Sequence, residues 1–543
     1  MKIRIAAGRA LTALLTILFA ETAFATPPAA PVVTVGAGLK QLQFDWNYVP
    51  RAGHYEVWFR SNPGAAWAKF ADTPSWRPRA NVNISGHLLH WIEARYVIKA
   101  CNPSGCTSSR EISVSQLMRD TVGYFKASTP LSAGPVGLGG EVAMSEDGST
   151  IAAGSSRSID GNVVVFRKNS AGWVEEAQLM PSLANQERGG SVEFDVAING
   201  NGTVVAMGAP AEVRPGTDAG EFPSIGAVYV FRRTSSGWAQ EQRIIADSQA
   251  DDAFGTHVDF DESGTVLAVW RRWGEGKGAS EAGQSLGPVE LYRHTSGGWV
   301  PLATIPVAND RCFVMDLSGD GRSLVRGCDD HVEVLAAPDW QRVARFPNAF
   351  DGIGPRPYER SVAISHDGRT VAARTRTVDY SEGEDFRTSV TIYRQGAAGW
   401  MRETAVTPGH WILPDGADYS PSNYGARLSM SRDGRFLAVS SHGDNAAGNG
   451  VQYPPFVASG TARGAVYVYE RRPSGWRLRQ FIKPNSAALD QYGFGPAFGA
   501  TVSLARNGKD LAVGAPADTS SALGIDGDQD DTSAPYRGAV WLY

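Results

Sequence analysis

The densest group of residues able to bind a cation lies near the end of the chain. Asp526, Asp528 and Asp530 alternate with Gly and Gln, Asp531 follows directly, and Asp518 stands upstream. Alternating aspartates with an intervening glycine can wrap an oxygen-preferring cation such as calcium, which takes about six to eight oxygen ligands. We predict a metal site at Asp526, Asp528 and Asp530, with calcium as its cofactor; the alternative is a solvated acidic loop.

A second set of candidate residues consists of aromatic and arginine side chains on long segments between predicted strands. Tyr, Trp and Arg dominate binding free energies at interfaces, and rigid scaffolds commonly display recognition residues on loops. The alternative is that single side chains only pack their own loops. The predicted binding residues are Trp270, Arg272, Trp273, Tyr380, Phe386, Tyr453, Phe456 and Tyr536.

No residue pattern in the chain leads us to predict catalysis. The nine histidines are dispersed, and no His-Glu-x-x-His frame occurs. The formal net charge of -5 and the pI of about 6.0 give no reason to expect a nucleic acid or an anionic membrane as partner. We therefore predict a protein that is not an enzyme and does not bind nucleic acid.

The first 25 residues have the layout of a secretory signal peptide. Lys2, Arg4 and Arg9 precede the apolar run 10–20, and small residues lead to a cleavage site after Ala25. The run is too short for a membrane span, and no later stretch reaches the roughly 18 apolar residues that one needs. We predict no membrane span and a secreted, periplasmic or cell-surface location.

Export also sets the expected state of the four cysteines. They form two local pairs, Cys101 with Cys106 and Cys312 with Cys328. Neither spacing resembles a zinc site, and an oxidising compartment favours disulfide formation. We predict two disulfides; the alternative is four buried thiols.

A small β-sandwich is predicted before the repeats. Apolar residues alternate along several short runs, and turn residues separate these runs. Residues 96–109, with Tyr96, Ala100, Asn102 and Gly105, resemble the last two strands of fibronectin type III domains, and Trp46 fits the core tryptophan of that family. The resemblance covers residues 30–115 and implies a spacer or docking module.

The rest of the chain repeats one pattern about every sixty residues. An apolar strand, a tight turn, a second apolar strand, a variable loop, a third strand and a Trp-led strand follow one another. An Asp-Gly or Asn-Gly pair between apolar runs is a strong hairpin signal. The turns are Asp147-Gly148, Asn201-Gly202, Ser263-Gly264, Asp320-Gly321, Asp367-Gly368, Asp433-Gly434 and Asn507-Gly508.

The last repeat lacks its fourth strand. The third strand ends at Tyr543, whereas residues 122–131 match the missing strand. Exchange of this segment into the last sheet would close a ring and leave no long free edge. We therefore predict an all-β chain with a seven-bladed β-propeller over residues 120–543; a solenoid is the alternative.

Short motifs in these repeats resemble the FG-GAP repeats of the integrin α-subunit propeller and its bacterial relatives. The matching residues are Phe254-Gly255, Phe498-Gly499 and the Gly-Ala-Pro triplets that begin at Gly208 and Gly514. The resemblance implies an adhesion protein. The family's acidic calcium loops are not matched, because a turn such as Ser431 to Gly434 keeps one carboxylate.

The connections between second and third strands are long. Residues 210–225, 270–286, 374–388, 440–463 and 516–537 should lie at the end of each sheet opposite the short turns. We predict an exported binding or adhesion scaffold that recognises an extracellular or cell-surface protein or glycan through these loops. The alternatives are a polysaccharide hydrolase or lyase with converging carboxylates or histidines, and a structural component of a cell-surface assembly.

Overall fold

The structure is a computed structural model of the 543-residue chain. It describes residues 26–89, 91–129, 137–155, 162–182, 195–210, 212, 225–246, 253–272, 286–306, 312–328, 330–347, 361–379, 385–408, 411–412, 418–419, 423–452, 461–486, 488–534 and 536–543.

The described chain is almost entirely β-structure and divides into two compact units. The first comprises Met1–Gly36, Leu42–Val82 and Glu93–Val114, and the second comprises Ala37–Gln41, Asn83–Ile92 and Ser115–Tyr543. The helical elements in the described residues are two 3-10 turns, Gly86–Leu88 and Arg119–Thr121. Among these residues, no helix has the length and apolar content that a membrane crossing requires.

Eight short strands precede the second of these 3-10 turns. Strands β1, β2 and β5 form one sheet, and β3, β4, β6, β7 and β8 form another, in which the central pair β3 and β6 is antiparallel. Phe44, Tyr55 and Tyr96 are fully or almost fully buried. The strands are β1 Val33–Gly38, β2 Gln41–Trp46, β3 His54–Arg60, β4 Ala68–Pro74, β5 Arg79–Asn83, β6 Arg95–Asn102, β7 Gly105–Ser108 and β8 Ile112–Ser113.

Seven antiparallel sheets of four or five strands follow within the described part of residues 123–543. In the first five, four consecutive strands pair in chain order. The strands after β9 Gly123–Phe125 are β10 Leu138–Met144, β11 Thr150–Ser155, β12 Val163–Asn169 and β13 Gly172–Leu179; β14 Val196–Ile198, β15 Val204–Ala209, β16 Ala227–Thr234 and β17 Gly237–Ile244; β18 Phe254–Phe260, β19 Val266–Arg272, β20 Leu286–Thr295 and β21 Gly298–Ile305; β22 Cys312–Leu317, β23 Ser323–Cys328, β24 His331–Ala336 and β25 Gln341–Pro347; and β26 Val362–Ile364, β27 Thr370–Asp379, β28 Asp385–Gly396 and β29 Gly399–Val406.

The last two sheets vary this plan. In the sixth sheet a short extra strand pairs with the fourth, and a two-stranded hairpin, β30 Trp411–Ile412 with β31 Asp418–Tyr419, precedes the sheet. The seventh sheet has the order β37, β38, β39, β9. The strands are β32 Leu428–Met430, β33 Phe436–Ser441, β34 Gly450–Gln452, β35 Ala465–Arg472, β36 Gly475–Lys483, β37 Thr501–Leu504, β38 Leu511–Ala515 and β39 Ala539–Leu542.

The predicted strand exchange is confirmed for residues 123–125 of the predicted segment 122–131. Gly123, Tyr124 and Phe125 pair with Leu542, Trp541 and Val540 of β39. This pairing supplies the fourth strand of the seventh sheet from the other end of the repeats. The sheet therefore has the same four-strand order as the first five.

Neighbouring sheets pack against one another through their inner strands. Strands β11, β15, β33 and β38 are buried at every residue, whereas the fourth strand β17 alternates between exposed and half-buried positions. One core cluster joins Val163 and Val165 of the first sheet to Val205 and Met207 of the second. Burial on both faces explains why these second strands read as continuous apolar runs rather than as alternating ones.

Glycine backbones make the closest contacts between sheets. A methyl group at Gly208, in the first Gly-Ala-Pro triplet, would overlap the carbonyl oxygen of Gly255 in the next sheet. Phe254 and Gly226 form a parallel β-bridge beside this contact. Gly514 stands in the same relation to Gly139. The FG and GAP glycines are therefore needed because two backbones meet where no side chain fits.

The seven predicted turns join the first and second strands of the seven sheets, and backbone hydrogen bonds link each turn to the next. In each turn, the backbone N–H that donates belongs either to the residue before the Asp-Gly, Asn-Gly or Ser-Gly pair or to the first residue of that pair. The bonds run from Asp147 N to Gly200 O, Gly200 N to Glu262 O, Glu262 N to Gly319 O, Asp320 N to His366 O, His366 N to Arg432 O, Arg432 N to Arg506 O and Arg506 N to Glu146 O, at 2.8–3.2 Å. The series returns to the first turn.

Some of the tryptophans near the start of the fourth strands link neighbouring sheets by hydrogen bonds. Trp238 Nε1 donates to Glu176 of the preceding sheet at 2.9 Å, and Arg233 forms an ion pair with the same carboxylate. Trp476 Nε1 and Arg471 contact Glu403 in the same way. These tryptophans therefore add a polar link between sheets to their apolar packing.

Both predicted disulfides are present. Cys101 is bonded to Cys106 in the hairpin of β6 and β7, and Cys312 is bonded to Cys328 across β22 and β23. Cys312 and Cys328 are directly paired residues of the two strands. The second disulfide therefore ties the first hairpin of the fourth sheet.

The contact between glycine backbones generates a stability prediction. Gly208→Ala should lower the free energy of unfolding by about 2–3 kcal/mol, because the new methyl group meets backbone rather than a mobile side chain. Chemical unfolding followed by tryptophan fluorescence measures this change. Gly396→Ala is the matched control, since its nearest atom would lie at 3.9 Å. Equal effects of the two substitutions would contradict the interpretation.

Candidate functional site

Charged side chains gather where the seven turns meet. The position that precedes the Asp-Gly or Asn-Gly pair holds Glu146, His366, Arg432 and Arg506 in the first, fifth, sixth and seventh sheets, and Glu262 in the third. We call these five residues the turn cluster. Because hydrogen bonds join the backbones of the turns, the positions of the Cα atoms of these five residues are fixed relative to one another.

Glu262 is the centre of the turn cluster. Its Oε1 accepts from Arg432 Nη1 at 2.8 Å and from Arg506 Nη1 at 3.1 Å, and its Oε2 lies 3.0 Å from His366 Nδ1. One carboxylate of the third sheet thereby contacts side chains of the fifth, sixth and seventh sheets. The ion pairs are partly exposed, so each contributes modestly to stability.

Glu146 completes the cluster as a protonated acid. Burial, and after it the neighbouring charge of Glu262, raises the pKa of Glu146 to about 7, despite the nearby guanidinium groups of Arg432 and Arg506. A hydrogen bond between the two carboxyls requires a proton on one of them. The pair therefore holds a shared proton below about pH 7.

The histidine tautomer follows from its arginine neighbour. Arg432 Nη2 lies 2.9 Å from His366 Nε2, and because a guanidinium only donates, Nε2 must accept. The proton of neutral His366 is then on Nδ1, the nitrogen that faces Glu262. Although ligand atoms of Glu146, Glu262 and His366 lie within 4.8 Å of one another, this tautomer and the two arginines argue against a resident metal ion.

Two glycines make room for the cluster. The remaining turn positions are Gly200 and Gly319. A methyl group at Gly200 would lie 2.5 Å from Cγ of Glu262, and one at Gly319 would overlap Nδ1 of His366. The sequence of all seven turns is therefore fitted to this arrangement of charges.

A cavity of about 180 Å³ adjoins the turn cluster. First strands of all seven sheets or the turns after them line it, with Glu141, Arg427 and Asp316 among the polar residues. Glu141 and Arg427 are paired at 2.5 Å, and Asp316 accepts from the backbone N–H of Ile364. The cavity is polar, but many of its charges are already bound within the chain.

Sequence reasoning missed the turn cluster. The available signal was the residue before each Asp-Gly or Asn-Gly pair, which carries Glu, His or Arg in four of the turns. These residues are far apart in sequence and come together only because the fold places the seven turns next to one another. A second pattern, Gly283-Gln-Ser285-Leu-Gly287, has the Gly-x-Ser-x-Gly spacing. Leu286 and Gly287 begin strand β20, and the other three residues lie outside the described part of the chain.

The loops between second and third strands are anchored by buried acids. Glu212, Asp444 and Asp518 follow their second strands at the same spacing, and each accepts a hydrogen bond from a tyrosine. Asp518 also pairs with Lys126 at 2.8 Å, with both side chains almost fully buried. Its backbone carbonyl accepts from Gly538 N at 3.1 Å. Residues 516–538, which we call the last loop, are therefore fixed at both ends.

Three residues with exposed aromatic side chains form hydrogen bonds to Asp490 beside the last loop. Asp490 Oδ1 accepts from the backbone N–H groups of Tyr492 and Phe494 at 2.9 and 2.7 Å, and its Oδ2 lies 3.4 Å from the Tyr536 hydroxyl. Tyr492 and Phe494 are 70% and 65% exposed. Tyr536 has φ +61°, a strained conformation for a bulky residue. We call Tyr492, Phe494 and Tyr536 the aromatic group.

The predicted binding residues are placed unevenly. Trp270 is only 3% exposed, because it lies in β19, stacks on His257 and donates to Gly287 O. This corrects its assignment to an exposed loop. Arg272 and Phe386 lie in β19 and β28, whose pairings extend into the predicted loops. Their side chains, together with Trp273, Tyr380, Tyr453 and Phe456, lie outside the described residues, and Tyr536 belongs to the aromatic group.

The predicted cation ligands bind separate partners within the chain. Asp526 Oδ1 accepts from Tyr124 N, Asp528 Oδ1 accepts from Asp530 N, and Asp530 pairs with Arg119 at 2.5 Å. Among the described residues, these three carboxylates do not bring their ligand atoms within 4.8 Å of one another. The local turns therefore separate the oxygens that a calcium ion would need together.

Comparison with known proteins gives no relative that establishes a family. No family model matches the chain, and no curated protein matches it. Among solved structures, Sqt1 of Saccharomyces cerevisiae is 11% identical with a TM-score of 0.39, over 72% of this chain and 82% of that one. Chaetomium thermophilum Sqt1 has the same identity and score over 95% of both chains. Raptor of that organism is 10% identical with a score of 0.40, over 80% of this chain and 30% of its own.

The shared proton of the turn cluster can be tested by substitution. Glu146→Gln keeps a hydrogen-bond donor for Glu262 but does not titrate. Because the folded-state pKa is raised to about 7, wild-type stability falls as pH rises from about 4.5 to 7. We expect the variant to gain roughly 2 kcal/mol over wild type between pH 5 and pH 8 in urea unfolding.

A matched substitution separates this effect from a general loss of negative charge. Asp339→Asn removes an exposed carboxylate in the turn before β25. It should leave the pH dependence of unfolding unchanged. A constant difference between Glu146→Gln and wild type across this pH range would refute the shared proton.

Proposed function

We propose that residues 120–543 form a seven-bladed β-propeller of FG-GAP type, preceded by a fibronectin type III-like module over residues 30–115. The closed series of hydrogen bonds between turns and the exchanged strand β9 support the propeller. The close contact of FG and GAP glycines supports the repeat type. Two disulfides fit an extracellular location and support export after removal of residues 1–25.

We propose that this protein binds an extracellular or cell-surface protein or glycan through its long loops, as an adhesion scaffold. The observation that carries this proposal is the aromatic group: Tyr536 belongs to the last loop, and Tyr492 and Phe494 lie on the adjoining segment between the sixth and seventh sheets. Exposed rings held by an aspartate turn offer large contact area at little cost in conformational entropy. Asp518 and Asp490 hold the two segments that present these rings.

A double substitution tests the proposed binding face. Tyr492→Ala with Phe494→Ala should weaken binding to any ligand found in a glycan and surface-protein screen by at least about tenfold, because such aromatic anchors contribute roughly 1–2 kcal/mol each. Met401→Ala, which removes an exposed apolar side chain from β29, is the control. Equal binding by both variants would contradict the proposal.

Two further arms of the screen address predictions outside this group. Trp273→Ala and Tyr453→Ala test the predicted residues that lie outside the described chain. Repeating the screen with calcium and with a chelator tests the predicted cation at Asp526, Asp528 and Asp530. Unchanged binding with chelator would remove calcium from the proposal without affecting the aromatic group.

A second candidate function is acid-base cleavage of a polysaccharide at the turn cluster. The observation that favours it is Glu146, whose pKa of about 7 suits a general acid, beside the carboxylate of Glu262. Product formation from neutral and uronic polysaccharides should fall at least about 100-fold in Glu146→Gln but not in Asp339→Asn. Absence of turnover by wild type would eliminate this function.

A further inference from the structure

The surface around the aromatic group carries more negative than positive charge. The last loop, the aromatic group's Asp490 turn and their ion-pair partners contain six acidic and three basic residues: Asp490, Asp518, Asp526, Asp528, Asp530 and Asp531, with Arg119, Lys126 and Arg537. Two of the cations are already used, since Lys126 pairs with Asp518 and Arg119 with Asp530. An excess of carboxylate charge therefore remains beside exposed rings.

Three of these carboxylates have hydrogen bonds but no cation. Asp531 accepts from Ser521 and Ser533, and these bonds lower its pKa, so it stays ionised. Asp528 and Asp490 accept from backbone N–H groups within their own turns. Among the described residues, none of the three is paired with a lysine or arginine. The chain fixes their positions, and no direct ion pair cancels their charges, although Lys126 attracts Asp531 at longer range.

The acidic residues and the rings belong to one continuous surface. Ala517 N donates to Pro496 O at 3.1 Å, which joins the last loop to the segment that carries Tyr492 and Phe494. Tyr536 of the last loop reaches Asp490 of that segment. Leu523, in the last loop, is 55% exposed and adds apolar area. Charge and aromatic contact are thus available to the same partner.

We propose that this surface binds a lysine- or arginine-rich polypeptide segment. The inference rests on the proposed function and names its partner. Cationic side chains gain both from the carboxylates and from the faces of Tyr and Phe rings, where a cation contributes about 0.5–1 kcal/mol at exposed sites. Acidic glycans would be repelled, and neutral glycans would gain only from stacking. The carboxylates lie on two segments, the last loop and the Asp490 turn. Such spaced charges suit a polypeptide with several cationic side chains better than a single small ion.

The experiment measures fluorescence polarisation of a labelled peptide of alternating Lys and Gly with the full chain. The Lys peptide should bind, a Glu-Gly peptide of equal length should not, and salt should weaken binding. Asp528→Asn should reduce affinity about two- to fivefold, since it removes one rim charge while keeping the oxygen that accepts from Asp530 N. Tyr492→Ala with Phe494→Ala should reduce it by about tenfold or more.

Asp147→Asn is the matched control. Asp147 is also exposed and also accepts from a backbone N–H two residues ahead, but it lies in the turn between β10 and β11. Equal affinity for the Lys and Glu peptides would overturn the proposal of a basic partner. Equal losses of affinity for the Lys peptide in Asp147→Asn and Asp528→Asn would overturn it as well. If a neutral oligosaccharide binds instead and the double aromatic variant abolishes that binding, the inference fails while the proposed function stands. If the double variant changes no binding at all, both fail.

Discussion

The close approach of glycine backbones between neighbouring sheets is the constraint on which the rest of the repeat structure depends. At Gly208 and Gly255, and again at Gly514 and Gly139, two chains meet without room for a Cβ atom. This contact brings the start of one first strand beside the end of the preceding second strand. Next to it, Phe254 forms a parallel bridge with Gly226, which directly precedes the third strand. The turns that follow the first strands then lie within hydrogen-bond distance of each other. A larger residue at these positions would push the two backbones apart, and this would displace the turn cluster as well as the packing of the core.

Much of the repeat architecture could be predicted because its signals are local. Asp-Gly or Asn-Gly pairs between apolar runs identified six of the turns and Ser263-Gly264 the seventh, and the unmatched segment before the repeats identified the strand that pairs with β39. The turn cluster could not be predicted in this way. Glu262 and Arg506 are far apart in sequence, and their contact exists only because the series of turns closes.

Trp270 shows how the same local reasoning fails. It ends an apolar run and is followed by arginines, a pattern that predicts the start of an exposed loop. The hairpin of β19 and β20 extends further than the apolar pattern, and the indole is buried against His257. Aromatic type alone does not separate a binding residue from a core residue. Tyr492 and Phe494, which are exposed, were missed because they lie between sheets rather than between second and third strands.

The carboxylates at the two ends of the second strands have different partners. The turn cluster lies before these strands, and the last loop follows one of them. In the turn cluster, Glu262 contacts Arg432, Arg506 and His366, and Glu146 is protonated below about pH 7, so the carboxylate of Glu262 balances only one of the two guanidinium charges. In the last loop, turns satisfy the hydrogen bonds of Asp528 and Asp531 without neutralising them. Hydrogen bonds from neutral groups fix a carboxylate in place and keep it ionised, whereas a guanidinium also cancels its field. A positively charged partner therefore gains most electrostatic binding free energy at the last loop, whereas the turn cluster mainly holds the sheets together.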